Sequence, residues 1–126
     1  MGKGLTLDSG ALIAAEKGSR EFWRSWSVAR ADGVRVTVPA TVLAQVWRGN
    51  SPVIARILAG CVVDNLTEDS AKNVGQALGR ARRSDIVDAS VVTGAIVRGD
   101  AIVTSDPDDI GRLVEAAGVR LKVLTV

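Results

Sequence analysis

Three runs of β-forming residues deliver an aspartate at their carboxyl ends: GLTLD at Asp8, CVVDNL at Asp64, and AIVTS followed directly by Asp106. Asp85 and Asp88 open an apolar stretch three residues apart, a spacing that puts both side chains on one helix face. In an open parallel sheet, ligands bind beyond the carboxyl ends of the strands, so Asp8 and Asp106 fall where a site would be. Carboxylates gathered there would repel one another unless a cation neutralised them. The chain has no histidine and one cysteine, Cys61. That excludes His-based triads, imidazole ligands and a zinc framework built on several cysteines. Hard oxygen donors alone select Mg2+ or Mn2+, and either ion held by a few carboxylates serves phosphoryl chemistry, activating a water against a phosphodiester. Metal-dependent nuclease chemistry is what these residues would perform.

Each acid also has a structural reading. Asp106, Pro107 and Asp109 fit a helix start, with a cap, a proline in the first position and an acid in the first turn. Asp85 with Asp88 approaches a capping box, and Asp64-Asn65 before Thr67 resembles turn chemistry. Asp8 is different, because capping does not require a strand to carry an acid into a crevice.

The elements that would position these acids alternate along the chain. Strands are expected at 4–8, 35–39, 61–66, 101–105 and 120–126, with helices over 9–18, 19–33, 40–50, 51–60, 67–84, 85–99 and 106–118. Gly18 and Gly33 act as stops, Ser19 as a cap, and Pro52 occupies a permitted first turn. The fourth strand is apolar throughout its centre, as expected when helices cover both faces. Five strands separated by helices imply right-handed crossovers and a single three-layer α/β/α domain, residues 1–126, around a five-stranded parallel sheet. At 126 residues, 47% apolar and 24% charged, the composition is that of one packed domain. A net charge of +2 shows no strong overall grip on nucleic acid. The lone cysteine and the absence of a signal-like or membrane-spanning run fit a cytoplasmic protein with no membrane role. MGKGLT matches a short myristoylation pattern, which we treat as coincidental because Leu5 and Leu7 belong to a strand.

LDSGAL at Asp8, VPATVLAQVWRG after strand two, DIVDASVV with Asp88, and AIVTSDPDDI with Asp106 together resemble a PIN-domain protein, in particular the VapC-type toxin of a type II toxin–antitoxin pair. The likeness spans the chain in length, element order and spacing of the acids. It implies a Mg2+- or Mn2+-dependent endoribonuclease, usually a homodimer, held inactive by a cognate antitoxin. By that pattern Asp8, Asp88 and Asp106 ligate metal, Ser9 or Ser105 steadies the water or the metal shell, and Asp85 is an additional acid. The departure is Gln45, which stands where the pattern usually has glutamate. On a helical wheel Val42, Leu43, Val46 and Trp47 share an apolar arc and Gln45 lies at its edge, where a cleft-facing acid would be placed. Glutamine keeps the shape and one carbonyl acceptor but carries no charge. Two readings stay open: a natural variation compensated by Asp85 or Asp109, or an inactivating substitution.

RNA would need basic or stacking residues near the acids. Arg80, Arg82 and Arg83 precede Asp85, and Arg48 follows the Gln45 stretch; a solvated helix end is their alternative role. Trp23, Trp26 and Trp47 could stack bases, although aromatics at helical spacing more often serve a core or an interface. The Phe22–Trp26 stretch is the expected place for antitoxin or dimer contact. Two other classes compete. One is a PIN-fold binding module too weak for catalysis because of Gln45. The other is phosphate handling: a receiver-type domain phosphorylated on Asp64 would want an acidic pair at Asp8, and a haloacid-dehalogenase-like phosphatase a second acid where Gly10 stands.

Overall fold

In the computed structural model, which describes residues 4–83 and 85–126, five strands form one parallel sheet in the order β3-β2-β1-β4-β5. The strands are β1 (Leu5–Leu7), β2 (Val36–Pro39), β3 (Val62–Asp64), β4 (Ala101–Thr104) and β5 (Val123–Thr125). The helices are α1 (Ser9–Glu16), α2 (Arg20–Ala31), α3 (Ala40–Val46), α4 (Pro52–Ala59), α5 (Glu68–Ala81), α6 (Ile86–Arg98) and α7 (Pro107–Ala116). The expected class, element order and strand count are all present. The start of the chain, where the myristoylation pattern lies, and Ser84, the expected last residue of the fifth helix, fall outside the described residues.

The central strands β1, β2 and β4 carry the core. Leu7, Val36, Val38, Ile102 and Val103 are buried, as strands covered on both faces require. Phe22 of α2, Leu12 of α1 and Val91 and Val92 of α6 pack into the same cluster. α6 lies along β1, β2 and β4 with α5 and α7 against it, while α1 packs on β4 and gathers α2, α3 and α4. Leu5 pairs with both Val36 and Ala101, so β1 and β4 stand side by side although most of the chain separates them. Sheet order reverses between these two strands, and Asp8 and Asp106 follow their carboxyl ends.

Local chemistry explains most boundaries. Ser19 accepts the Phe22 N–H at 3.2 Å, Ser51 accepts the Ile54 N–H at 3.2 Å, and Thr67 with Ser70 closes a capping box. Two expectations are corrected. The third helix ends at Val46, so Trp47 is not on its apolar arc; it sits beyond the helix in extended backbone (ψ 126°), 43% exposed, before Gly49 at φ +79°. The outermost strands are also shorter than expected, because only three residues of each meet a neighbour.

Helix α5 ends on Arg82 in the left-handed conformation (φ 53°, ψ 47°), with the Arg83 N–H bonded to the Leu78 carbonyl at 3.0 Å. A side chain in that region costs about 1–2 kcal/mol, and glycine's extra freedom in the unfolded chain returns part of it. Arg82→Gly is expected to raise the melting temperature by about 2 °C, as differential scanning calorimetry would show.

Candidate active site

Asp8 ends β1 and at the same time caps α1, its Oδ1 accepting the Ala11 N–H at 2.8 Å. It is 4% exposed. Burial pushes its carboxyl above the usual aspartate range and the nearby Asp106 adds to that, against hydrogen bonds from Thr104, Ala11 and Gly10. The strand-to-helix turn allows this because residue 10 is glycine. A Cβ there would run into the Ser105 hydroxyl and lie 3.2 Å from the Ser105 Cβ, so the β1 and β4 ends approach only over a bare backbone.

Asp106 occupies the cap position of α7 but makes no capping hydrogen bond, which corrects the capping reading. Its backbone N–H is instead held by the Thr104 hydroxyl at 2.8 Å, at φ −130° and ψ 77°. The carboxylate is exposed and uncommitted to the helix. Asp85 does cap, accepting the Asp88 N–H at 2.9 Å and thereby fixing the first turn of α6. Asp88 follows on that turn, half-buried, with its carboxyl pushed up to about 6 by burial first, then by Asp85, Asp8, Asp109 and Asp106. The charges of Asp8, Asp109 and Asp106 reach Asp88 from β1 and from the β4–α7 junction, in keeping with acids gathered at one end of the sheet. Asp109 is partly neutralised by Arg112 at 3.0 Å.

Asp85, Asp88 and Asp109 line a cavity of about 150 Å3 with Arg83 and Leu113. Gln45 reaches the same end of the sheet from α3, its Oε1 accepting a hydrogen bond from the Ser9 hydroxyl next to Asp8. Arg83 is thus the one of the four expected arginines that lines the acid cavity. Arg80 and Arg82 are exposed at the end of α5, and Arg48 donates to the Trp47 carbonyl at 2.8 Å. Trp23 and Trp26 pack around Phe22 at 5.2 and 6.1 Å, Trp23 donates to the Ala15 carbonyl at 3.2 Å, and Arg30 lies over Trp26.

Asp64 stands apart from these acids at the sheet edge. It is not simply a turn residue: Arg98 binds it at 2.6 Å, a role that nothing near Asp64 in sequence announces. It borders a larger cavity of about 370 Å3 with Leu66, Val74, Ser90, Val97 and Arg98. Much of the polar lining there is engaged internally, by that ion pair and by the Thr41–Ser90 hydroxyl contact.

Among the described residues no three acids or thiols close on one point as a preformed ion cage. The donor set nevertheless fits a hard divalent cation. The acids that face one another offer only carboxylate oxygens, and burial pushes the Cys61 thiol up to about 11, which keeps it from thiolate ligation. Crowding alone has a measurable sign. A carboxyl whose pKa is raised by folding destabilises the native state fully above the folded value, and the penalty shrinks as pH falls through that value and is gone below the unfolded value of 3.8. Asp88→Asn is therefore expected to stabilise the metal-free protein by about 1 kcal/mol at pH 7.5, after allowance for solvent screening, with the gain shrinking below about pH 6 and gone below about pH 4. Urea unfolding of both proteins across this range tests it.

No family model matches the sequence, and no curated protein sequence matches it either. Solved structures do match. A chain in the structure of VapBC2 from Rickettsia felis bound to a promoter DNA fragment superposes with a TM-score of 0.71 at 14% identity, covering 97% of this chain and 98% of that one. The fold is PIN-like. A chain of DNA-bound VapBC from Salmonella typhimurium gives 0.70 at 19% identity over 96% and 98% of the two chains. One from a Klebsiella pneumoniae toxin–antitoxin complex gives 0.69 at 16% identity over 84% and 89%. At these identities the superpositions establish the shared fold alone. No helix of the described residues is long and apolar enough to cross a membrane.

Proposed function

We propose that this chain is the toxin of a toxin–antitoxin pair and acts as a Mg2+- or Mn2+-dependent endoribonuclease. The observation that carries the reading is the placement of Asp8, Asp88 and Asp106 by three separate elements at one end of the sheet, where Asp8 and Asp106 add to the rise of Asp88 to about 6 that burial and Asp85 cause first. The toxin–antitoxin neighbours of the PIN-like fold support it. Asp8, Asp88 and Asp106 would hold the ion, with Asp85 and Asp109 at the margin. When bound, the ion would lower the pKa of a water and offset charge building on the phosphodiester.

The chain's own residues prepare this. Asp85 fixes the α6 turn that presents Asp88, and Gly10 lets Ser105 sit over the β1–α1 turn. Ser9 orients Gln45 beside Asp8. Leu113 gives the cavity an apolar wall. The antitoxin contact is assigned to the aromatic face of α2, where Trp23 and Trp26 are partly exposed, and the active species is a cytoplasmic homodimer.

Gln45 favours a second reading, a PIN-fold binding module that works through RNA or antitoxin contact without turnover. Cleavage of a labelled structured RNA with Mg2+, with Mn2+ and with EDTA separates the two. For the nuclease, this chain cuts only with metal and Asp8→Asn, which retains a capping side chain, abolishes cutting. Absence of cutting by both this chain and Gln45→Glu over a range of RNAs favours the module.

A further inference from the structure

The cavity that holds Asp88 has one cationic wall. Arg83 lines it together with Asp85, Asp109 and Leu113, and among the described residues it makes no ion pair with any of these acids. Its placement is built into the backbone. The left-handed Arg82 turns the chain at the end of α5, and the Arg83 N–H closes the turn on Leu78. A non-glycine residue held at positive φ is strained, and such strain persists where the surrounding structure requires the resulting direction.

Simple neutralisation does not explain this arginine. Among the described residues Arg83 closes on none of Asp85, Asp88 and Asp109, and Asp109 takes its counter-ion from Arg112. An exposed arginine that lines an acid cavity without pairing with its acids is available to an anion entering from outside. A volume of about 150 Å3 admits a phosphate group with a few waters, at a share of about 30 Å3 per water. Guanidinium is also the side-chain group whose fork matches two phosphate oxygens.

We propose that Arg83 is a substrate-binding residue of this site, gripping an RNA phosphate adjoining the one presented to the acids. The inference rests on the ribonuclease reading and adds to it the group that recognises the backbone. Arg80 and Arg82, three and one residues earlier, lie outside the cavity and do not share the role.

Binding tests this independently of turnover. The affinity of a fluorescein-labelled single-stranded RNA would be measured by anisotropy against salt concentration in EDTA, for this chain, Arg83→Ala, Arg83→Lys and Arg24→Ala on the exposed side of α2. Loss of one phosphate contact lowers the slope of log affinity against log salt by about 0.7 for a single strand. Arg83→Ala should show that change with roughly tenfold weaker binding, Arg83→Lys should recover part of the affinity, and Arg24→Ala should match the parent. Where cleavage is measurable, KM should rise with kcat nearly unchanged. An Arg83→Ala protein with the parent's affinity and slope overturns the inference and leaves the ribonuclease reading standing. Failure of the parent to bind RNA or cleave it with metal overturns both.

Discussion

Gln45→Glu is expected to tighten Mn2+ and Mg2+ binding by at least about tenfold and to raise metal-dependent RNA cleavage by a similar factor. The amide oxygen accepts from Ser9, the residue after Asp8, so a carboxylate of the same length would add its charge near the end of β1 that carries the buried acid. One charge about 4 Å from a dication gains roughly 8 kcal/mol gross at an effective dielectric near 20. Desolvation consumes most of that, and about 1.4 kcal/mol of remainder already gives tenfold. Without metal the same charge adds to the repulsion that raises Asp88, so the variant should melt several degrees lower in EDTA and respond more strongly to Mn2+. Melting with and without Mn2+ measures both effects. An unchanged metal response would place residue 45 outside the ion's surroundings.

Arg98→Ala should have the largest effect on stability, about 3–5 kcal/mol, with a fall in melting temperature of about 10–20 °C. The guanidinium binds Asp64 at 2.6 Å, Asp100 at 2.9 Å and the Thr6 hydroxyl at 2.9 Å. Asp100 is 2% exposed, so deleting its partner strands a buried charge. This network ties the end of α6 to β1 and the β3 edge, and α6 carries Asp88 at its other end. Adding Asp100→Asn to Arg98→Ala should recover part of the loss, because the stranded group is then neutral. Urea unfolding of the single and double variants gives the coupling energy directly.

The fold was legible because the chain's local signals agree with one another. Ser19, Ser51 and Thr67 start helices, Pro52 and Pro107 lie in first turns, and apolar runs fill the central strands. The positions of Asp8, Asp88 and Asp106 followed from strand ends and one helix start, which is local information. Failures arose where a distant partner decides. Trp47 continues an apolar arc on paper, yet the chain leaves the helix at Val46. Asp106 has every local mark of a cap, but Thr104 takes its backbone N–H and its side chain makes no capping hydrogen bond. Asp64 looks like a turn until Arg98 arrives from 34 residues away. Arg83 is separated from Arg80 and Arg82 only by the left-handed turn at Arg82.

Isothermal titration of Mn2+ into this chain and into Asp88→Asn at pH 7.5 is the most direct test of a carboxylate-held cation. A saturable site in the parent, weakened at least about tenfold by the single loss of charge, is the expected result. Indistinguishable isotherms for the two proteins would contradict it.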